Sequence, residues 1–593
     1  MKNFLLIAII SIFSLLILYP AFSLPYPGPS YEDLYIVVNH FGPNLSFFYP
    51  KLLYYFHQYG TQFASLVFAY KLFEFNSISY FTLNIFLRIA AAITLYYFVS
   101  KWSKSILAGF IAGIFFAVNT SSLQSTTRVS LFQIYTAAIF LCIFLDRWFS
   151  FHYHPTKRNL YLSALFFFIA IISHPVRMVG TVPLVLAGES YFFIKDYLKK
   201  ANLTLKLMHP ILEMLIILLL MFVTGTLATT PELTSKRLSL NILFISLITG
   251  FPPIIMSLWF FISNLIATHE ISIYENSSLK LLLLNRLSLF LPILSTVFSA
   301  IFLLKKKFLL TFISISVLVF SFALYRSFPS LRWYPQWLAI THIGGALFLI
   351  SNLLLFFFKD KYPRLAEIGL FGTIIVVANL LFPWLISPQL SGNDQSAFTP
   401  IHRYYTIPSI GMGILLGSVF TLCIYYTREN LSDILRSFQS KLNIFKTIRI
   451  SAYTIVFLII CILVIFLLSF NSITTRNYLI SQGQGINTMA IDRFWNQLKP
   501  YITNIQTNSV NLVYLEADGS LDKKYIKEMF PRRIAISLRT TTNPPLINFI
   551  FDKEDLLNTL KANPNYNLLA FRLKNQSLSD IKEEILSTIS KEP

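Results

Sequence analysis

Charged residues are scarce in this sequence. Only 13% of its 593 residues are charged, against about 25% in soluble globular domains. The scarcity excludes a cytosolic enzyme and a disordered chain. Hydrophobic residues make up 55%, and the mean hydropathy is +0.62. We therefore expect an integral membrane protein. The three cysteines, Cys142, Cys423 and Cys461, all fall in apolar runs, in a spacing that favours neither a disulfide framework nor a cysteine metal site.

Acidic residues are especially rare before the C-terminal tail. The first 474 residues hold fifteen of the 27 Asp and Glu residues, and the last 119 hold the other twelve. This shift predicts a transmembrane domain at 1–470 followed by a soluble domain at 471–593. We find no period of 20–50 residues that would mark a repeat protein.

Long apolar runs predict about thirteen transmembrane helices. A helix needs about 20 apolar residues to cross a bilayer. The predicted spans are 4–24, 79–99, 105–119, 130–146, 159–173, 178–195, 210–229, 286–304, 308–325, 337–358, 365–386, 406–426 and 449–470.

The net charge of +21 fits lysines and arginines that hold loops in the cytoplasm. Nucleic acid is not an expected partner, because no basic stripe carries interleaved stacking aromatics. The segment 239–267, with Pro252 and Pro253, is treated as a non-crossing outer segment, because later basic loops then stay inside. This predicts a multi-pass plasma (inner) membrane protein with a cytoplasmic N-terminus and an extracytoplasmic C-terminal domain.

The tail is expected to form a small α/β domain, with strands and helices alternating. Asp552 with Asp555, and Ser577 with Asp580, resemble helix-capping patterns. No nucleophile elbow, phosphate loop or metal cluster is found there, so a scaffolding or acceptor-binding role is expected. The predicted strands are Val510–Glu516, Arg533–Arg539, Leu546–Phe551 and Leu568–Leu573, and the predicted helices lie near 488–500, 520–530, 552–562 and 577–589.

Cationic side chains on predicted outer loops point to an anionic ligand, since positive charge is disfavoured on that side. An arginine donates two parallel hydrogen bonds to phosphate oxygens. Several of them beside a nearly acid-free domain favour a lipid phosphate headgroup. These residues are Arg128, His174, Arg177, Lys236, Arg237, Arg326, Arg332, His402 and Arg403.

An acidic pair, Glu32–Asp33, follows the first span and begins the first long outer loop, 25–78. The apolar run that follows the pair is typical of an interface segment, so the acids are expected near the bilayer surface. An acid there can take a proton from an acceptor hydroxyl while an arginine neutralises a departing phosphate.

These features together resemble the GT-C superfamily of membrane glycosyltransferases, in its protein O-mannosyltransferase-like branch. The resemblance covers about residues 1–430. Asn76–Arg88 resembles the branch's entry into the second span, and Arg403-Tyr404 with Pro408 resembles its Arg-Tyr-x-x-x-Pro segment. The chain departs from the branch in two places: the acidic pair is Glu-Asp, and Ser173-His174-Pro175 stands where relatives often carry Lys-Glu.

The resemblance implies a mainly α, GT-C-like fold and transfer of a sugar, with inversion, from a polyprenyl-phosphate donor to a glycan, lipid or protein acceptor on the outer face. Glu32 and Asp33 would be catalytic, one of them as the base. Arg403, assisted by Tyr404 and His402, would hold the lipid phosphate. Arg128, His174, Arg177 and Arg332 are weaker phosphate-binding candidates. The acidic pair could instead bind Mg²⁺ or Mn²⁺, whose preferred ligands are oxygens.

Three other functions stay open at this point. An O-antigen ligase or polymerase also binds polyprenyl diphosphates, but its main outer loop lies late in the chain. A transporter would place ionisable residues within the membrane, and Arg88 and Glu213 are the candidates here. A catalytically inactive assembly protein would keep the fold without the activity.

Overall fold

The computed structural model describes the chain in segments, and the account below is confined to them. They are 2–23, 61–73, 77–127, 131–178, 180–198, 209–213, 215–216, 348, 350–386, 405–439, 471–473, 475–477, 497–498, 500–501, 511–517, 547–563, 565–574 and 577–589.

The membrane part is built from helices throughout the segments that can be described. In chain order they are α1 (Lys2–Ser23), α2 (Gln62–Phe73), α3 (Ser77–Ser103), α4 (Ile106–Val118), α5 (Leu123–Thr127), α6 (Phe132–Tyr153), α7 (Lys157–Ser173), α8 (Pro175–Met178), α9 (Thr181–Leu198), α10 (Pro363–Ile386) and α11 (Thr406–Gln439).

Several of these helices are long and apolar enough to cross a membrane, so the protein is a multi-pass membrane protein. Within the described segments, the spans identified by length and hydropathy are Ser79–Ser103, Phe132–Tyr153, Pro363–Leu380 and Thr406–Tyr426. Each coincides with a predicted span. The shorter apolar helices at 3–18 and 106–118 match two more.

Helix bounds differ from the predicted spans in three places. Helix α6 continues past residue 146 to Tyr153, and α11 continues past 426 to Gln439, so both extend into predicted loops. Helix α2 lies inside the predicted outer loop 25–78. A span prediction marks where the apolar run ends, whereas a helix continues wherever its backbone hydrogen bonds can. The predicted spans 286–304, 308–325 and 449–470, and the segment 239–267, lie outside the described residues.

Two helix starts carry the caps that their sequences indicate. Ser105 accepts a hydrogen bond from the backbone N–H of Ala108 before α4. Thr156 accepts one from Asn159 before α7. Serine and threonine at these positions satisfy a backbone N–H that has no partner within the helix. Both caps follow the short turns that the sequence places between spans.

The helices pack antiparallel, which gives the bundle two distinct ends. One is the lysine end, where Lys101 of α3 contacts Asp146 of α6 at 2.6 Å. Lys195 of α9 reaches Glu367 of α10 at 2.5 Å at this same end. These residues come from loops or span ends that were predicted to share one side of the membrane, and the structure confirms that they share an end.

The opposite end is the connector end, defined by residues 119–127 between α4 and α6. Helix α1 runs toward it, because Asn3 accepts a hydrogen bond from Tyr96 in the half of α3 nearer the lysine end. A 22-residue helix is about 33 Å long at 1.5 Å per residue. Its last residue, Ser23, therefore lies at the connector end.

Glycines let α10 and α11 approach closely. A Cβ on Gly411 would stand 2.5 Å from the carbonyl oxygen of Gly372 and 2.8 Å from the backbone nitrogen of Val376. Only glycine avoids these backbone clashes. Small residues are common at such helix contacts in membranes, where close packing supplies much of the association energy.

We expect Gly411→Ala to destabilise the bundle by about 1–3 kcal/mol, the usual cost of overpacking. Thermal unfolding in detergent, followed by size-exclusion chromatography, measures the loss. Gly413→Ala on the same helix should cost less, since the nearest atom to its Cβ would be the carbonyl oxygen of Ala112 at 3.0 Å. Equal melting temperatures for wild type and Gly411→Ala would contradict the packing argument.

The C-terminal domain contains a four-stranded sheet in the order β2–β1–β3–β4. Its strands are β1 (Asn511–Ala517), β2 (Ile547–Ile550), β3 (Asn567–Lys574) and β4 (Ser577–Asp580), and its helices are α12 (Lys553–Ala562) and α13 (Lys582–Ile589). Strand β1 pairs in parallel with β2 and β3, and β4 pairs antiparallel with β3.

Three predicted strands and one predicted helix of the tail are confirmed, and one helix start is wrong. Asp552 caps α12, accepting from the N–H groups of Glu554 and Asp555. Ser577 was expected to begin a helix but begins β4, because the free edge of β3 supplies backbone partners there. Helix α13 starts only at Lys582, whose N–H donates to Asp580. The predicted strand 533–539 lies outside the described segments.

An ion-pair network ties the sheet to α13. Arg572 of β3 contacts Glu584 at 2.7 Å and Glu516 of β1 at 3.1 Å. Hydrogen bonding to this guanidinium lowers the pKa of the Glu584 carboxyl. A lowered pKa means that the pair stabilises the domain at neutral pH and that this contribution is lost as the pH falls through the folded-state pKa.

Candidate functional site

A polar segment is buried at the connector end. Residues 119–127, here named the polar connector, read Asn-Thr-Ser-Ser-Leu-Gln-Ser-Thr-Thr, and every one except Gln124 is buried. Polar groups inside a membrane bundle must be satisfied by the protein itself. So many buried polar residues in one short segment are unusual in a membrane bundle. Such residues often form binding sites.

Two residues of α3 hold the polar connector. Asn84 donates to the carbonyl oxygen of Thr126 at 2.9 Å. Arg88, fully buried, donates to the Thr126 hydroxyl at 2.8 Å and to the carbonyl oxygens of Phe116 and Asn119. These two carbonyls end α4, where the helix has no backbone donors left and its dipole is negative. The arginine charge thus meets neutral oxygens and not a carboxylate.

The first turn of α11 is bonded to the polar connector. The hydroxyls of Thr406 and Ser125 are 2.7 Å apart, and Asn119 donates to Ser409 at 2.5 Å. Helix α11 begins directly after the segment His402-Arg403-Tyr404, and Arg128 directly follows the polar connector in sequence. The chain therefore leaves the predicted phosphate-binding segment 402–404, and enters the one at Arg128, at this same end of the bundle.

The predicted acidic loop also starts and returns here. Ser23 ends α1 at the connector end, as the direction of α1 requires. Thr61 donates its backbone N–H to Ile172, in the last turn of α7. Glu32 and Asp33 fall between these two anchors in sequence.

His174 and Arg177 are the predicted phosphate-binding residues that the structure describes. His174 ends α7 as its C-cap and Arg177 lies in the short helix α8. Both are buried at the connector end, with 3% and 7% of their surface exposed. The backbone N–H of Arg177 donates to the carbonyl of His174. The side chains of Glu32, Asp33, Arg128, Arg332, His402, Arg403 and Tyr404 lie outside the described residues, so their roles stay predictions.

The start of the C-terminal region is attached at the same end. Asn471 is buried and donates its side-chain amide to the carbonyl of Val118, the last residue of α4. Residue 471 is the predicted boundary between the membrane and soluble domains. The first residues of the C-terminal region are thus attached to the end that holds the polar connector.

Charge is divided between the two ends. In the parts of 1–439 whose side chains are described, the acids lie at or near the lysine end, and the buried cations Arg88 and Arg177 lie toward the connector end. The acids are Asp146, Glu189, Glu213, Asp360 and Glu367. A low-dielectric pocket with fixed positive charge attracts anions.

Comparison with known proteins identifies a resemblance to membrane oligosaccharyltransferases. The archaeal oligosaccharyltransferase AglB from Archaeoglobus fulgidus, in complex with an inhibitory peptide and a dolichol-phosphate, aligns with 92% of this chain at 12% identity and a TM-score of 0.39. The apo form of the Archaeoglobus fulgidus oligosaccharyltransferase aligns with 86% of this chain at the same identity and TM-score. This chain spans 64% and 62% of those two proteins.

No protein-family model matches the sequence, and no curated protein shows significant similarity to it. At this identity the similar structures do not assign the chain to a family.

A second buried cluster, near the lysine end, was not predicted. Glu189 of α9 contacts His152 of α6 at 3.0 Å and His209 at 2.9 Å. Glu213 lies 3.3 Å from the same nitrogen of His209. Sequence reasoning considered Glu213 only as a possible transporter residue. The available signal was the His209–Glu213 spacing of four residues within an apolar run, which puts both side chains on one helix face.

We expect Arg88→Gln to destabilise the connector end by about 1–3 kcal/mol, because it leaves buried carbonyl groups of α4 without a donor. Thermal unfolding in detergent measures this loss. Arg88→Lys should recover part of it, since an ammonium supplies donors without the planar fork. Arg158→Gln is the matched control, as Arg158 is exposed beside α7. Equal losses in Arg88→Gln and Arg158→Gln would show that Arg88 does not brace the polar connector.

Proposed function

We propose that this protein is an integral membrane glycosyltransferase that uses a polyprenyl-phosphate-linked sugar donor. The main support is that several predicted site segments begin or end at the connector end. There the polar connector is bonded to the start of α11, immediately after the Arg403 segment, and the two anchors of the acidic loop lie at the same end. A base, a phosphate-binding arginine and buried polar groups are the components that such a transfer needs.

The transfer couples one bond formed to one bond broken. The acceptor hydroxyl oxygen forms a bond to the anomeric carbon, and the bond from that carbon to the phosphate oxygen breaks. Attack from the face opposite the phosphate gives inversion. Glu32 or Asp33 takes the hydroxyl proton, and the polyprenyl phosphate leaves with the electron pair of the broken bond.

Fixed positive charge at the connector end supports this chemistry. The leaving phosphate gains negative charge as the glycosidic bond breaks, and preorganised donors in a low-dielectric site stabilise such charge strongly. Arg403 supplies the direct contact, with Tyr404, His402, Arg128, His174, Arg177 and Arg332 as further candidates. The buried guanidinium of Arg88, which is bonded to the polar connector, adds to the positive electrostatic potential at this end.

Glu32→Gln and Asp33→Asn test the base. Each change removes a charge and keeps the side-chain shape. We expect at least one of them to lower the transfer rate by about 10²–10⁴-fold, the usual contribution of a positioned base. The measurement is transfer from a radiolabelled polyprenyl-phosphate sugar in membranes, with Asp360→Asn, an exposed acid at the lysine end, as the control.

A doubly neutralised protein that transfers sugar at the wild-type rate would refute the proposed base. Loss of activity with a chelator, restored by Mg²⁺ or Mn²⁺, would instead assign the acidic pair to a cation.

Arg403→Ala tests the phosphate contact. We expect donor binding to weaken by about 1.5–3 kcal/mol, the value of a charge-assisted hydrogen bond. Arg403→Lys should recover only part, because a lysine cannot make the bidentate contact. Donor affinity is measured by titration in detergent, and Arg158→Ala is the control. Unchanged affinity in Arg403→Ala would remove this residue from the site.

The proposal also requires that the connector end faces the extracytoplasmic side of the membrane. Lys553 is exposed in the C-terminal domain, and Lys157 is exposed beside α7 at the lysine end. In a background lacking the native cysteines, Lys553→Cys should react with an impermeant thiol reagent on intact cells. Lys157→Cys should react only after permeabilisation. The reverse pattern would invert the proposed orientation.

A further inference from the structure

We propose that His152, Glu189, His209 and Glu213 form a binding site for one divalent transition-metal ion, with zinc as the ion that fits best. The proposal is independent of the glycosyltransferase function. The first three residues offer ligand atoms that all lie within 4.8 Å of one another. They come from α6, α9 and the helical residues at 209–213, so one ion would join three separate segments.

Three ligand–ligand distances suit a tetrahedral site, and Glu213 lies beside the group formed by His152, Glu189 and His209. Zinc–nitrogen and zinc–oxygen bonds of about 2.0–2.1 Å place neighbouring ligand atoms about 3.3 Å apart. Glu189 Oε1 lies 3.0 Å from His152 Nε2 and 2.9 Å from His209 Nδ1. Glu213 Oε1 lies 3.3 Å from His209 Nδ1. Small outward shifts of these side chains would admit an ion.

The hydrogen bonding of the cluster is incomplete without a cation. His209 Nδ1 faces two carboxylates, and it carries at most one proton to share between them. Neither oxygen of Glu213, whose side chain is fully buried, accepts a hydrogen bond from the residues described. A buried carboxylate without such a partner is costly. One divalent ion between the two carboxylates would cancel their charge.

Aromatic rings hold both imidazoles in place, and a hydroxyl orients His209 as metal sites require. Phe192 stacks on His152 with ring centroids 4.0 Å apart, and Phe151 stacks on His209 at 4.7 Å. His209 Nε2 lies 2.8 Å from the hydroxyl of Ser163. A metal-bound histidine almost always uses its other nitrogen in such a bond, which leaves the first nitrogen free for the ion.

The ligand types indicate zinc. Two imidazoles with carboxylates form a mixed nitrogen–oxygen set, which suits zinc better than Mg²⁺ or Ca²⁺, since those ions prefer all-oxygen sites. Movement of the Glu213 carboxylate toward the other three groups would give four ligands and a coordinatively closed site, as in structural zinc sites. We infer that the ion stabilises the bundle and does not take part in the reaction.

Metal analysis of the full-length protein tests the proposal. Protein purified in detergent should contain about one zinc per chain, and apo protein prepared with a chelator should regain it when titrated with Zn²⁺ alone. Titration with Co²⁺ should give the visible absorption of a tetrahedral site and lose it when Zn²⁺ is added. Wild-type protein that neither contains nor regains zinc would overturn the proposal.

Ser163→Ala is the decisive variant, because it keeps all four ligands. Loss of a hydrogen bond to a ligand typically weakens metal affinity about 10–100-fold, and we expect that range here. Ser190→Ala is the matched control, since Ser190 on α9 bonds only within its own helix. Glu189→Gln and His209→Ala should abolish binding, whereas His154→Ala, an exposed histidine outside the cluster, should not. Equal zinc affinity in all variants would also overturn the proposal.

Discussion

The burial of Arg88 is the interaction on which the connector end depends. A guanidinium inside a membrane bundle is costly unless every donor finds an acceptor. Here the acceptors are the terminal carbonyls of α4 and a connector hydroxyl. The same contacts therefore satisfy the two terminal nitrogens of the arginine, cap α4 and fix the polar connector. Because Ser125 and Asn119 of that connector also bond α11, the position of the Arg403 segment relative to α3 depends on Arg88.

Buried charges are stabilised in different ways at the two ends of the bundle. At the lysine end, cations and acids pair: Lys195 with Glu367, and Lys101 with Asp146. Such pairs compensate one another and have no need of a ligand. At the connector end, the described residues offer Arg88 neutral oxygens and no carboxylate, so its positive charge is solvated but not cancelled by them. An anionic ligand is stabilised by the second arrangement and not by the first, which is why the proposed function places the phosphate there.

Sequence alone predicted the helices well because membrane spans depend on a local property. Apolar length located α3, α6, α10 and α11 to within a few residues at most ends, and the caps at Ser105 and Asp552 were set by near neighbours. Non-local contacts were not predictable in this way. Ser577 has a capping residue's sequence context, yet the free edge of β3 recruits it into a strand. The burial of the polar connector was not predicted, because nothing in its sequence shows that it lies between helices. Of the predicted site, only His174 and Arg177 are described, and both lie at the connector end.

The proposed metal site and the connector end are far apart, so damage to each should affect a different property of the protein. His152 and Phe132 stand near opposite ends of α6, twenty residues apart, which is about 30 Å along a helix. An ion bound at His152 is therefore too far from the connector end to touch a phosphate there, and its field would also be weakened by the paired charges around it. Loss of the ion would act through the packing of α6 against α9, lowering the melting temperature first. Loss of a group at the connector end would act on donor binding or transfer while the lysine end stays intact. The two sites can thus be distinguished by which property fails.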